Sequence, residues 1–184
     1  MRKIIVTEYL TLDGVFEEPG HWSFEFWSDE AAKYKYDELF SSDAQLLGRV
    51  TYEGFAKAWP TMEGTGDFGE RMNSMPKYVV STTLNHAAWN NTTILSTNVV
   101  EEITKLKEQS GQPILVAGSG KLLQTLMQHD LVDEYRLMVY PLILGSGKRL
   151  FPGGAHGLKL QLVETKPFRS GVVVLTYQPM RKEN

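Results

Sequence analysis

Cysteine is absent from this chain of 184 residues. Its absence excludes disulfides, thiolate metal sites and a cysteine nucleophile. Long apolar runs are also absent, because no stretch approaches the roughly 20 residues that span a bilayer. The N-terminus alternates after Met1, Arg2 and Lys3 and does not form the apolar core of a signal peptide. The sequence therefore predicts a cytoplasmic protein that does not enter a membrane.

Runs of basic residues are missing as well. The 19 Lys and Arg side chains are outnumbered by 22 Asp and Glu, which gives a net charge of -3. A protein that tracks a phosphate backbone needs clustered cations, so we expect no nucleic-acid partner. The histidines show no His-x-x-His or Glu-x-x-His spacing, and we expect no metal site. They are His21, His86, His129 and His156.

The length and composition are those of one globular domain. Hydrophobic residues make up 42% of the chain and charged residues 22%, with no Pro/Ser-rich linker between two halves. Single domains commonly run to about 200 residues and bury most of their unfolded surface. We therefore predict one domain over residues 1–184.

Apolar periodicity and turn residues predict an α/β fold. Strands are predicted at 3–10, 44–47, 77–81, 94–96, 114–117, 134–140, 158–165 and 172–178. Helices are predicted at 28–40 with Ser28 as N-cap, from 49, at 70–75, from 99 to 110 and at 121–128, with loops at 60–69 and 141–154. Alternating strands and helices favour a three-layer αβα arrangement around a mainly parallel sheet, closed by a C-terminal antiparallel hairpin.

One strand-to-helix junction has the composition of an anion site. The strand at 114–117 leads into Gly118-Ser119-Gly120, and a helix begins there. Glycines let an anion approach the backbone, the free N–H groups of a helix start point at its charge, and Lys121 adds a cation. A dinucleotide fingerprint would need a third glycine at position 123, which is leucine. A tight turn without a ligand therefore remains the alternative.

Several separate motifs resemble known enzymes when they are taken together. Leu47-Gly-Arg-Val-Thr-Tyr-Glu53, Ser81-Thr-Thr83 and Val116-Ala-Gly-Ser-Gly-Lys-Leu122 resemble the dihydrofolate reductase fold. Leu12-Asp-Gly14, Leu131-Val-Asp-Glu-Tyr135 and Pro141-Leu-Ile-Leu-Gly-Ser-Gly147 resemble the reductase domain of the riboflavin-biosynthesis deaminase/reductase. The likeness covers nearly the whole chain, and the order and spacing of the motifs are more specific than any one of them.

The resemblance implies an NADPH site at the carboxyl ends of the strands. Residues implied at the pyrophosphate and nicotinamide are Ala117, Gly118, Ser119, Gly120, Lys121 and Leu122. Gly48, Arg49 and Thr51 are implied on the adenosine side, and Ser81, Thr82 and Thr83 at the 2′-phosphate. The last trio lacks the arginine of the common pattern, which leaves the choice between NADPH and NADH open.

Candidates on the substrate side come with structural alternatives. Asp13 is a candidate catalytic proton donor that borders the nicotinamide pocket, although Asp-Gly is also a common turn pair. Trp22 and Phe26, with Tyr9, Phe24 and Trp27 near by, are candidates to stack on a flat substrate ring, although aromatic residues are more often core. Lys148 and Arg149 are candidates for an acidic substrate group, or else part of a structural loop.

Dihydrofolate reductases carry a carboxylate on the first helix, and the position aligned with it here is Trp27, which argues against folate reduction. Glu25 or Asp29 could supply a carboxylate from an adjacent position, or serve only as charges near a helix start.

The resemblance implies an NADPH-dependent reductase acting on a small heterocyclic or ribosylamino-pyrimidine substrate, without an attached deaminase domain. Alternatives are dihydrofolate reductase activity, a non-catalytic NADP-binding module, and a homodimeric interaction protein. A homodimer, paired through the C-terminal hairpin and loop 141–154, is expected and is compatible with the reductase function.

Overall fold

The structure is a computed structural model that describes residues 1–152 and 157–180. The strands in this part of the chain are β1 (Ile4–Thr11), β2 (Ala44–Gly48), β3 (Lys77–Val80), β4 (Thr92–Leu95), β5 (Ile114–Ala117), β6 (Glu134–Tyr140), β7 (Leu160–Pro167) and β8 (Val173–Pro179). The α-helices are α1 (Asp29–Phe40), α2 (Arg49–Ala58), α3 (Gly66–Ser74), α4 (Val99–Glu108) and α5 (Gly120–Gln128). His156 and the end of the predicted loop at Gly154 lie outside the described residues.

All these strands form one sheet in the order β4-β3-β2-β5-β1-β6-β8-β7. Pairing is parallel from β4 to β6, whereas β8 runs antiparallel to both β6 and β7. The mainly parallel α/β sheet with a C-terminal antiparallel hairpin is thus confirmed. One domain over the whole chain stays a prediction.

Both faces of the central strands are buried, and every residue of β1 except the half-buried Tyr9 is buried. Ile4 and Val6 pack with the inner sides of α4 and α5, whereas Ile5 packs on the opposite face with residues of α1, α2 and α3. Side chains alternate across a strand, so each apolar residue contributes to one of the two layers. Within the described residues, no helix is both long enough and apolar enough to cross a bilayer.

The predicted N-cap of α1 is confirmed, because the Ser28 hydroxyl accepts a hydrogen bond from the Ala31 N–H at 3.2 Å. The predicted loop at 60–69 is partly wrong, because α3 already begins at Gly66. Phe68 and Met72, four residues apart, pack into the core and stabilise this helix against its glycines. The start of β4 at Thr92 rather than at position 94 follows from its pairing with Lys77 of β3.

The carboxyl ends of β2, β5 and β1 are neighbours in the sheet. Gly48 ends β2 and is followed at once by α2, and Ala117 ends β5 three residues before α5 begins. Open α/β sheets bind ligands at this edge, where helix starts and loops converge. The fold therefore brings the two glycine junctions of the sequence together.

Candidate functional site

The two glycine junctions are joined by hydrogen bonds. The Gly48 N–H donates to the Ser119 hydroxyl at 2.8 Å, and the Ser119 N–H donates to the Thr51 hydroxyl at 3.1 Å. The Ser119 hydroxyl in turn donates to the Ala117 carbonyl at 3.0 Å. These bonds hold the starts of α2 and α5 side by side, so that the N–H groups of both helix starts lie at one edge.

The turn between β5 and α5 has little room for side chains. Gly118 and Ser119 both adopt left-handed backbone conformations, with φ of 57° and 62°. A Cβ placed on Gly118 would lie 2.9 Å from the Thr51 hydroxyl oxygen. A Cβ on Gly120 would lie 2.6 Å from the Phe16 ring. The turn therefore presents backbone, and the uncapped N–H groups of the first turn of α5 fit a bound anion such as a pyrophosphate.

The two cations of these junctions are exposed. Arg49, in the first turn of α2, pairs with Glu53 at 3.0 Å, and Lys121 stands in the first turn of α5. Both can move to meet a ligand because neither is buried. Leu122 differs from its neighbours, because its side chain is only 5% exposed and belongs to the core beneath α5. Among the predicted cofactor residues, Leu122 can therefore contribute only its backbone N–H.

The polar trio after β3 forms a turn of its own. The Ser81 hydroxyl accepts hydrogen bonds from the N–H groups of Thr83 at 3.1 Å and Leu84 at 2.9 Å. Ser81 is buried, whereas Thr82 and Thr83 are exposed. Since β3 pairs with β2, this turn lies at the same edge of the sheet as Gly48. The Thr83 hydroxyl lies 3.4 Å from the Ser81 hydroxyl, within hydrogen-bond distance.

Asp13 is bound by the protein itself. Its carboxylate accepts hydrogen bonds from the Thr11 hydroxyl at 2.6 Å and from the N–H groups of Leu144 at 3.2 Å and Gly145 at 2.9 Å. The Thr11 bond, followed by the two backbone bonds, lowers the pKa of Asp13 to about 2. A carboxylate that is ionised at neutral pH accepts protons poorly and has none to donate. The structure therefore argues against the predicted role of Asp13 as proton donor and makes it an anchor for the following loop.

Asp13→Asn tests this anchoring role by its pH dependence. The pKa of Asp13 is lower in the folded chain, so its stabilising effect is present above the ordinary value near pH 4. That effect is lost as the pH falls toward about 2. We expect the free energy of unfolding of the wild type to fall more steeply between these pH values than that of the variant. Urea titrations across this range measure the difference, and parallel curves would contradict the role.

Hydrogen bonds and an ion pair hold the loop from 142 to 150 against the segment that follows β1. Arg149 donates to the Asp13 carbonyl, Lys148 pairs with Glu17 at 2.8 Å, and the Phe16 N–H donates to the Lys148 carbonyl at 3.0 Å. Lys148 and Arg149 are thus already engaged with this chain. Of the two alternatives for these cations, the structure favours the structural loop over an acidic-substrate site.

The aromatic residues proposed for stacking form a core. Trp22 is 8% exposed, and its ring meets Tyr140 edge-on with 5.3 Å between centroids. Phe26 meets the same tyrosine at 6.0 Å, and Tyr9 does so at 5.4 Å. The predicted substrate stacking by Trp22 and Phe26 is therefore not supported by their positions, because Trp22 is buried and Phe26 packs partly buried against the same core cluster. Phe24 and Trp27 are exposed, with 72% and 43% of their surfaces accessible.

Among the residues the structure describes, no three His, Asp or Glu side chains converge as metal ligands. His21, His86 and His129 are all exposed, and they stand on different elements.

Known proteins are similar in sequence to this chain over nearly its whole length. The sequence model described as the RibD C-terminal domain matches residues 2–174. The chain belongs to the RibD C-terminal domain family. Two uncharacterized Bacillus subtilis proteins are similar to it over almost their whole length. YyaP is 32% identical over 179 residues, covering 96% of this chain and 94% of its own, and YwjB is 28% identical over 174 residues, covering 93% and 95%.

Solved structures show the same fold at lower identity. A putative riboflavin biosynthesis protein from Shewanella superposes with a TM-score of 0.78 and 20% identity, covering 97% of this chain and 99% of its own. A dihydrofolate reductase from Enterococcus faecalis complexed with NADP(H) gives 0.65 and 16%, covering 97% of both chains. A Thermotoga maritima deaminase/reductase gives 0.66 and 16%, covering 97% of this chain and 56% of its own. The dihydrofolate reductase-like fold is confirmed, and the family supports a reductase of the riboflavin-biosynthesis type.

The first helix of this RibD-family chain has no carboxylate turned inward in its first turn. Trp27 precedes α1 and is 43% exposed, and Glu25 and Asp29 are exposed as well. The carboxylate that α1 does bury is Glu38, which accepts from the Thr7 hydroxyl at 3.0 Å and pairs with Lys35 and Arg136. It belongs to the third turn, where it borders a cleft between α1 and the C-terminal hairpin. Neither Glu25 nor Asp29 thus reaches the interior.

Glu8 is a candidate that the sequence analysis missed. It lies in the middle of β1, is 4% exposed, and has one carboxyl oxygen without a hydrogen-bond partner. Burial raises its pKa well above the ordinary value, against the opposing effects of the Gly118 backbone amide and of Lys35. The signal available in the sequence was an acidic residue in the middle of a strand with five apolar residues among eight, Ile4–Thr11. Burying an ionisable side chain in a central strand costs free energy unless the group is paired or neutral.

Proposed function

We propose that this protein is an NADPH-dependent reductase that delivers hydride to a small heterocyclic or ribosylamino-pyrimidine substrate, of the class of 5-amino-6-(5-phosphoribosylamino)uracil. The observation that carries the proposal is the hydrogen-bonded pair of glycine junctions at Gly48 and Gly118–Gly120. The family is one of reductases, and a structure with the same fold was solved with NADP(H) bound.

Each junction has a task in this proposal. The first-turn N–H groups of α5 and the Lys121 ammonium hold the pyrophosphate, and Ala117 borders the nicotinamide end. Arg49 binds phosphate from the start of α2, while Thr51 and Ser119 keep the two helix starts in place. Thr82 meets the 2′-phosphate through its hydroxyl and backbone N–H, and Thr83 meets it through its hydroxyl, because the Thr83 N–H is bonded to Ser81. Bound NADPH supplies the hydride, and the chain contributes position and exclusion of water.

The other functions predicted from the sequence differ in their support. Dihydrofolate reduction is disfavoured, because Glu25 and Asp29 near the start of α1 are exposed and do not point inward. A non-catalytic NADP-binding module would have the same junctions and is separated from a reductase only by turnover. Homodimer formation is compatible with both; β7, at the edge of the sheet, exposes about half of Leu162 and Val163. Light scattering after size-exclusion chromatography measures the oligomeric state.

Binding and turnover test the proposal in sequence. NADPH and NADH are titrated separately while nicotinamide fluorescence and thermal stability are followed, and we expect binding below millimolar concentration. Loss of nicotinamide absorbance is then followed with the riboflavin pyrimidine, with dihydrofolate, and with a panel of imines and quinones. Absence of binding refutes the cofactor assignment, whereas binding without turnover on any acceptor favours the non-catalytic module.

Arg49→Ala is expected to raise the Kd of NADPH about tenfold, because one charge-assisted hydrogen bond to phosphate contributes about 1.4 kcal/mol. The matched control is Lys57→Ala, which removes a cation from the last turn of the same helix, away from the sheet edge. Fluorescence titration measures both variants. Equal affinities in Arg49→Ala and the wild type would show that the adenosine side is misplaced.

A further inference from the structure

Glu8 lies directly beside the proposed pyrophosphate site. In the register of the sheet Thr7 stands opposite Ala117, so Glu8 is level with Gly118, the first residue of the glycine turn. Its carboxyl interacts with the Gly118 backbone amide. One of its oxygens is buried without a hydrogen-bond partner. A buried, incompletely paired carboxyl thus lies against the turn at which the anion would bind.

The surroundings of Glu8 offer little to balance a negative charge. On β1 it shares a face with Val6 and Leu10, which belong to the core cluster that α5 covers with Leu122, Leu123 and Leu126. On its other side β6 places Leu137 opposite it. Lys35 of α1 supplies an attractive charge, but its ammonium bonds directly to Thr7 and Glu38. Lys121 of α5 is exposed to solvent.

We propose that Glu8 takes up a proton when the dinucleotide binds, so that the pyrophosphate and the proton occupy the two sides of the Gly118–Gly120 turn together. This inference rests on the proposed function. It makes Glu8 a positioning residue, which acts on the ligand through the turn.

The physical reason is repulsion between like charges in a poorly screened interior. An ionised Glu8 draws the Gly118 amide toward itself and places a negative charge behind the anion site. Protonation removes that charge, and by linkage the arriving pyrophosphate must favour the protonated form to the same extent that the proton favours the pyrophosphate. The Kd therefore rises with pH where free Glu8 is ionised, by at most about tenfold per pH unit.

The experiment uses NADH as the probe. NADPH carries a 2′-phosphate that itself titrates near pH 6, with a second pKa of about 6 for a phosphomonoester, and NADH lacks it. Calorimetric titrations from about pH 6 to 10, in pairs of buffers with different ionisation enthalpies, count the protons taken up on binding. Wild-type protein is compared with Glu8→Gln, which keeps the shape of a protonated carboxyl but cannot ionise.

The matched control is Glu134→Gln, because Glu134 is also a buried carboxylate of the sheet but stands at the opposite end, level with Ile5. We expect up to one extra proton taken up per NADH in the wild type and in Glu134→Gln, and none beyond the background of the other groups in Glu8→Gln. The rise of Kd with pH should flatten in Glu8→Gln alone.

Two negative results have different meanings. If neither NADH nor NADPH binds the wild type at any pH, the proposed cofactor site is wrong. If both bind but the wild type takes up no more protons than Glu8→Gln across the range, the function stands and the coupling through Glu8 is refuted. A folded Glu8→Gln variant, shown by an unchanged circular dichroism spectrum, completes the comparison.

Discussion

Gly118→Ala is expected to raise the Kd of NADPH by about 30-fold or more, since a cost of about 2 kcal/mol corresponds to that factor. The backbone of Gly118 has φ of 57°, and an added Cβ would meet the Thr51 hydroxyl oxygen at 2.9 Å. Alanine therefore forces the turn out of its left-handed conformation or pushes Thr51 away, and either change moves the N–H groups of α5. Fluorescence titration with NADPH measures the loss.

Gly64→Ala is the matched control for that variant. Gly64 also has a left-handed backbone, with φ of 72°, but nothing lies within 4 Å of an added Cβ. Both variants carry the backbone strain of alanine in this region, about 1 kcal/mol or more, whereas only Gly118→Ala disturbs the junction. We expect Gly64→Ala to bind NADPH like the wild type. If the two variants lose affinity equally, general destabilisation explains the effect and the junction does not.

The second large effect concerns Lys77, whose side chain is fully buried at the start of β3. Its ammonium donates to the carbonyls of Asn73 at 2.9 Å, Met75 at 2.8 Å and Asn90 at 3.0 Å. It also lies 4.2 Å from the centre of the Trp89 ring. Burial lowers the pKa of Lys77 to about 8, so at pH 7 the charged form with three donors predominates.

Lys77→Met leaves three carbonyls without their donor, of which that of Met75 is buried and the other two are partly buried, and losing the donor of a buried group costs about 1–3 kcal/mol. We therefore expect the free energy of unfolding at pH 7 to fall by about 3 kcal/mol or more, measured by urea denaturation. Lys166→Met is the control, because Lys166 also lies over an aromatic ring, Tyr34, but is exposed to solvent. Its loss should stay within about 0.5 kcal/mol. A similar small loss in Lys77→Met would mean that water replaces the ammonium.

Local signals were sufficient for much of the fold. Ser28 with two acidic residues after it indicates a helix start, and the structure has the cap. The apolar run at 114–117, bounded by glycine, predicts β5 to the residue. These predictions succeeded because capping and strand ends depend on neighbours a few residues away. The start of α3 depends instead on the packing of Phe68 and Met72 in the core. The local composition of this segment predicted a loop.

At the candidate site, too, local signals predicted some features and long-range contacts decided the others. The glycine junctions were identified separately from their residue types, but the bonds that join Gly48, Ser119 and Thr51 link positions about 70 residues apart. The stacking predicted for Trp22 and Phe26 loses support for a related reason. Aromatic residues suit a ligand face and a core equally well, and only the position of Tyr140 decides between them. Asp13 likewise accepts two of its three hydrogen bonds from Leu144 and Gly145, which are 131 and 132 residues away.

The sequence by itself determined the alternation of strands and helices, the glycine-bounded helix starts and the exclusion of thiol chemistry. These follow from residue type and short-range spacing, since turn conformations, caps and periodicity act over a few residues. The tertiary structure alone decided that two helix starts share one edge, that Asp13 is an ionised anchor of a loop, and that Glu8 lies buried beside the glycine turn. Burial and charge state depend on which strands become neighbours, and that order, with β5 inserted between β1 and β2, is set by the packing of the whole sheet.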